Sequence, residues 1–185
     1  MEWVKKNLGT VIVIFALIYL ADTSILQAAA ESDLVRAVLS GEINEVKNAL
    51  NKGADVNEKN SQDGTTPLHM AAFYGRTEIA KLLLRNKADI NAKDNEGEPP
   101  LLAALTNRQK ETGELLVNRG AQVNVKTAKG WTPLHLAVLL KDEDLVRLLV
   151  EKGADKGAKT SEGITPLDLA VTSGQKEIEA FLKKP

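Results

Sequence analysis

Two side chains in this chain of 185 residues could move protons near neutral pH, His69 and His135. General acid–base work would require an acid or a nucleophile beside each of them. The sequence supplies a different reason for their presence. Each closes the same four residues, Thr66-Pro67-Leu68-His69 and Thr132-Pro133-Leu134-His135, and a variant returns as Thr165-Pro166-Leu167-Asp168. A degraded copy, Pro99-Pro100-Leu101-Leu102, lies between them. The histidines therefore mark a repetition, and the rest of the chain offers a catalytic reading little support. There is no cysteine, hence no thiol nucleophile, no disulfide and no thiolate metal site. The Asp142-Glu143-Asp144 run suits the start of a helix, where negative charge meets the favourable end of the dipole. Neither a phosphate-cradling glycine loop nor metal-ligand spacing is present. The expectation is a protein that is not an enzyme and needs no cofactor and no metal.

The elements that carry these phrases follow from the spacing. The prolines at 67, 100, 133 and 166 and the glycines at 64, 97, 130 and 163 return every 33 residues. Each unit reads alike. A threonine caps free backbone N–H groups, and the following proline occupies the first helical position, where its missing N–H costs nothing. A short helix with small residues such as Ala71 and Ala72 leads to a turn at Gly41, Gly75 or Gly174. A second helix then carries an apolar stripe, for example Ile79, Leu82 and Leu83, or Leu145, Leu148 and Leu149. A Gly-Ala-Asp-x-Asn phrase ends it and opens a projecting loop. A fixed period of this size predicts an all-α repeat solenoid, in which each unit's apolar face is buried only by its neighbours. Five units are expected, at about 31–59, 60–93, 94–126, 127–159 and 160–185, forming one domain from 31 to 185.

The recurrent T-P-L-H phrase and the G-A-D-x-N ending, in phase over all of 31–185, resemble the ankyrin repeat family. The resemblance implies paired antiparallel helices with projecting hairpin loops, and histidines that link neighbouring units, a role that carries over to His69 and His135 only. It also implies partner contacts on the concave side, through loop tips and first helices. On this chain those positions include Phe73, Tyr74, Glu96, Glu98, Thr106, Asn107, Lys129, Trp131, Leu139, Leu140 and Glu162. Departures from the pattern cluster in the third unit, where Pro99 replaces the threonine and Leu102 the histidine, so that unit is expected to be the weakest joint of the stack. Arg108 and Lys141 stand where a helix-ending glycine belongs, and Lys87 replaces the glycine before Ala88.

Beyond residue 30 the only aromatics are Phe73, Tyr74, Trp131 and Phe181, and three of the four fall on the implied contact positions. Aromatic side chains make effective binding anchors, because they offer a large rigid area. Two readings follow. Either these residues, with Leu139 and Leu140, form an exposed apolar patch edged by Glu96, Glu98 and Glu162, or they fill gaps between helices. Their exposure decides.

The first 30 residues read separately. Lys5 and Lys6 precede an uncharged, mostly apolar stretch from Asn7 to Ala21, and Ala28-Ala29-Ala30 follows as a small-residue cleavage site. That is the pattern of a secretory signal peptide, with Glu31 as the mature start. The alternative, an inner-membrane anchor, suffers from length, since a spanning helix needs about 20 apolar residues and Leu8–Ala21 is shorter. The lack of Asn-x-Ser/Thr acceptors is consistent with a bacterial exported protein. Glu2, Asp22, Lys5 and Lys6 cancel, so the mature chain keeps the net charge of −1. That near balance argues against nucleic acid, which needs a basic face. The expectation is a periplasmic or secreted monomer that binds a protein partner as an adaptor, inhibitor or accessory. Membrane attachment would follow only if residues 1–30 were retained.

Overall fold

The computed structural model describes residues 32–184. The signal segment expected over 1–30 lies outside the described residues. Regular structure among the described residues is entirely helical and falls into five pairs. The first helices of the pairs are α1 (Asp33–Ser40), α3 (Pro67–Phe73), α5 (Pro100–Thr106), α7 (Pro133–Leu139) and α9 (Pro166–Thr172). The second helices are α2 (Ile43–Asn51), α4 (Thr77–Arg85), α6 (Lys110–Asn118), α8 (Glu143–Glu151) and α10 (Lys176–Leu182). First helices pack side by side in one layer and second helices in another, with each pair bridging the two. The projecting loops fold as turns without strands.

The helix starts form as the sequence dictates. Thr66, Thr132 and Thr165 each accept a hydrogen bond from the backbone N–H three residues on, and the residue there reaches back to the threonine's own N–H. This reciprocal box satisfies two donors that a helix end leaves free. In the third unit Pro99 occupies the cap and makes no side-chain bond. The turns between paired helices take the left-handed conformation whatever residue stands there. Gly41, Gly75 and Gly174 have φ of 81°, 64° and 67°, while Arg108 and Lys141 both sit at 59°; Lys87, at 69°, follows a second helix, where the other units hold Gly53, Gly120 and Gly153. A residue with a Cβ held there costs about 1–2 kcal/mol. Gly75 has a further reason, since a Cβ would collide with the Gln109 side chain of the next unit.

The core runs between the layers and through every junction. Leu34, Leu68, Leu101 and Leu134 occupy equivalent places and are fully buried, as are Leu83, Leu116 and Leu149 in the second helices. Polar bonds then register one unit on the next, and they are unevenly shared. His69 Nε2 meets the Glu98 carbonyl at 3.0 Å, and His135 Nε2 meets the Ile164 carbonyl at 3.0 Å. The same two junctions carry loop-to-loop backbone bonds, Asn95 N–H to the Asp63 carbonyl and Ser161 N–H to the Lys129 carbonyl. A buried Thr77–Thr112 hydroxyl pair, 2.9 Å apart, strengthens the first of them.

The junction between units three and four has no such histidine. Asn124 bridges it instead, accepting from Asp155 N–H at 2.8 Å and donating to the Gly153 carbonyl at 2.9 Å. Lys110 adds a bond to Asp142 at 2.9 Å. Asn57 makes the equivalent double bridge between units one and two. The expected departures of unit three are thus visible in its cap and its missing imidazole, and other side chains cross the gap.

Each imidazole is held in one protonation state. A carbonyl can only accept, so Nε2 carries the proton, and Nδ1 accepts from the threonine N–H at 3.1 Å in one case and 3.2 Å in the other. Burial lowers the pKa of both rings below the ordinary value, against a smaller opposing effect of the carbonyl bonds. The unfolded chain therefore takes up these protons first. The stability contributed by the neutral rings is complete above about pH 6.5 and is lost as pH falls through 6.5 towards the lowered folded-state values.

Two outcomes are expected. Restoring the third box with Pro99→Thr and Leu102→His should raise the unfolding free energy by about 1–2 kcal/mol in urea titration, one cap and one hydrogen bond. In the wild type, amides of α5 and α6 should exchange with deuterium faster than those of α7 and α8, and uniform exchange across units three and four would count against a weak joint. Secondly, stability should fall between pH 7.5 and 5.5, and the double variant His69→Leu/His135→Leu should flatten that dependence. An unchanged pH response in the variant would assign it to other groups.

Candidate partner-binding face

The residues singled out from the sequence come from two structural sources. Phe73, Tyr74, Thr106, Asn107, Leu139 and Leu140 stand at the ends of α3, α5 and α7, just after the small pairs that let neighbouring helices approach. Glu96, Glu98, Lys129, Trp131 and Glu162 belong to the projecting loops that precede the next helix.

Exposure separates the two readings of the aromatics. Phe73 is 45% exposed, Tyr74 51% and Leu139 55%, so these three are surface rather than gap-filling residues. The Phe73 and Tyr74 rings meet edge to face with centroids 5.0 Å apart, which gives the pair a fixed shape. Thr106 is exposed between them and Leu139, while Asn107 is half-buried and ties its amide to the Ala103 carbonyl. Leu140 is half-buried. Trp131 is half-buried too, and here the packing reading holds in part. Its ring lies edge-on to His135, 5.8 Å between centroids, and rests against the core. Phe181, the aromatic outside the contact positions, works within the stack, with the Arg147 guanidinium 4.6 Å above its ring.

The first-helix layer differs from the second in charge. The segments PLHMAAF, PLLAALT and PLHLAVL of α3, α5 and α7 contain no Asp, Glu, Lys or Arg. The second helices are dense in charge and neutralise themselves, through Lys81–Glu78, Lys110–Glu114, Arg147–Glu143 and Lys183–Glu179 pairs. The bodies of these helices are buried, and only their last residues, among them Phe73 and Leu139, reach the surface without charge; beside a layer built for water, those ends are the surface suited to contact.

The loops rim that surface. Glu96, Lys129 and Glu162 are exposed, and Glu98 is half-buried. The Glu98 carboxyl is held above its ordinary pKa by burial first, then by the like charges of Asp94 and Glu96, with a hydrogen bond from Ala128 N–H acting against them. The folded state therefore takes this proton before the unfolded chain does. Glu98's contribution is fully present below the ordinary carboxylate value and is lost as pH rises through its raised one.

One exposed apolar residue escaped the sequence reading. Val171 is 49% exposed, although its equivalents Ala72, Leu105 and Val138 are buried by the unit that follows each. Its register was readable, but its exposure depends on what packs next. Among the described residues no group of three or more His, Asp or Glu is placed to hold a metal ion, and no helix is long and apolar enough to cross a membrane. Both imidazoles are fully engaged in their boxes and carbonyl bonds.

Comparison with known proteins agrees with this architecture. A family model described as ankyrin repeats (3 copies) matches residues 34–127 and 114–184. Among curated relatives, the 2-5A-dependent ribonuclease of Mus musculus is 40% identical over 67 residues, 36% of this chain and 9% of that protein. Neurogenic locus notch homolog protein 1 of Xenopus laevis is 39% identical over 54 residues, 29% of this chain and 2% of that protein. A transient receptor potential cation channel subfamily A member 1 homolog of Caenorhabditis elegans is 39% identical over 80 residues, 40% of this chain and 6% of that protein. The chain spans under a tenth of each of these relatives, whose names describe diverse activities. What they share with it is the repeat, and the chain belongs to the ankyrin repeat family.

Proposed function

We propose that this protein is a non-catalytic interaction module that docks a protein partner on the face formed by α3, α5 and α7. The observation that carries the reading is the uncharged first-helix layer with Phe73, Tyr74 and Leu139 exposed on it. Large rigid side chains on an uncharged surface lose little conformational entropy on binding and release much ordered water. Family membership supports a binding role, since ankyrin repeats are generally protein-interaction modules. The charge pattern of residues 1–30 supports an exported adaptor, inhibitor or accessory, acting in the periplasm or outside the cell.

The reading makes two checks available. With the full-length chain as bait on the envelope or secreted fraction, the wild type should retain a specific partner. A Tyr74→Ala/Leu139→Ala bait with an unchanged melting temperature should bind that partner at least about tenfold more weakly, the loss of one strong anchor. Equal retention by both baits would move the contact surface elsewhere. Intact-mass measurement of the protein from its native source should give a chain beginning at Glu31, and a chain retaining residues 1–30 in the membrane fraction would replace export with anchoring.

A further inference from the structure

We propose that the occupant of this face is a segment of a partner protein in which an aromatic or aliphatic side chain is followed or preceded by lysines or arginines. The cationic end is directed towards units two and three. This rests on the binding reading of the same face and adds the chemistry of the partner.

The argument begins with charge that the fold leaves unbalanced. Asp63, Asp94, Glu96 and Glu98 come from the two consecutive loops beside α3 and α5, where they outnumber the exposed Lys59 and Lys93, and none of the six takes part in an ion pair within 4.0 Å among the described residues. Every ion pair found lies on α1 or in the second-helix layer, apart from the loop residue Asp142 at the start of α8. The loops are also tied to each other by the Asn95 N–H bond to the Asp63 carbonyl, so the carboxylates are held together rather than free to spread. Such a cluster is a standing repulsion in the free protein, and a bound cation converts it into attraction.

The acidic loops adjoin the apolar anchors. His69, near the start of α3, binds the Glu98 carbonyl, and Phe73 ends the same helix four residues, about one helical turn, further on. A partner segment that rests on Phe73 and Tyr74 and runs along α3 towards its N-terminal end meets the loop that carries Glu96 and Glu98.

The other end of the face carries a basic excess, although Glu162 is exposed on the loop before α9. Lys126, Lys129 and Lys159 are exposed on the loops before α7 and α9, with no ion-pair partner within 4.0 Å among the described residues. The charged groups nearest the two equivalent histidines differ in the same sense, Asp94, Lys59 and Asp63 at His69 and Lys126 at His135. A face that is negative at one end, apolar along its middle and positive at the other selects both the composition and the direction of what lies across it.

The test is selection of a random-peptide phage library on three immobilised full-length proteins: wild type, Glu96→Lys, and Phe73→Ala/Tyr74→Ala. Glu96 suits the purpose because its carboxylate makes no hydrogen bond or ion pair among the described residues, and the loop bond it makes, from its backbone N–H to Asp94, does not involve the side chain. The wild type should enrich peptides with Lys or Arg next to an aromatic or aliphatic residue. The best of them should bind Glu96→Lys about fivefold or more weakly, and added salt should weaken their binding to the wild type. All three proteins should show the same melting temperature. Peptides that need Phe73 and Tyr74 but carry no basic bias, or bind Glu96→Lys equally, would overturn the charge inference and leave the docking face standing. Enrichment indifferent to Phe73 and Tyr74, or none, would overturn both.

Discussion

A helix of seven or nine residues is unstable alone in water, because nucleation costs more than so few backbone bonds return. Pairing two of them does not cure this, since each pair still exposes the apolar side that its neighbour would cover. Everything in this structure depends on that shortage. Leu68, Leu101 and Leu134 are fully buried only because the next first helix lies against them, and the loop that follows each pair is positioned by the same contact. The polar bonds across the junctions add little net energy each, about 1 kcal/mol, but they decide register, because a buried imidazole with no carbonyl opposite would be left unpaired.

The two layers divide the work. The second helices carry nearly all the helical charge and spend it on pairs within and between themselves, which keeps that side in water. The first helices are nearly stripped of charge, and their small residues bring them close enough together that the side chains at their ends must project. Phe73, Tyr74 and Leu139 are exposed for this reason, at the C-terminal ends of the first helices where the chain enters the turn. The same geometry that makes the stack tight therefore supplies an uncharged surface of fixed shape.

Much of this was legible in the sequence because the repeat fixes backbone and register together. The Thr-Pro starts, the left-handed turns and the unusual occupancy of those turns by Arg108 and Lys141 all followed from position in the period. What the period could not carry were side-chain choices made once. The Trp131 ring turns back on His135 instead of outward, a tertiary preference with no counterpart in the other loops. The Lys110–Asp142 bond and the Glu98–Ala128 contact cross a junction where the repeat phrase is broken, so no consensus position announced them. Val171 failed in the opposite way, since its residue type and register match buried equivalents and only its place in the stack differs.

Asp168 completes the same capping box as the histidines, through Thr165, but its side chain is an acceptor with nothing to give. In the units that hold His69 and His135, the same position delivers a proton to the carbonyl of the loop that comes next. This asymmetry bears on how such a chain lengthens by duplication. A copied second or fourth unit enters the array with a donor ready for its new neighbour. A copied fifth unit brings no donor to that carbonyl, because the Asp168 carboxylate is spent on Thr165. A unit of this kind inside an array would need other side chains to cross its next junction, as unit three does through Asn124 and Lys110.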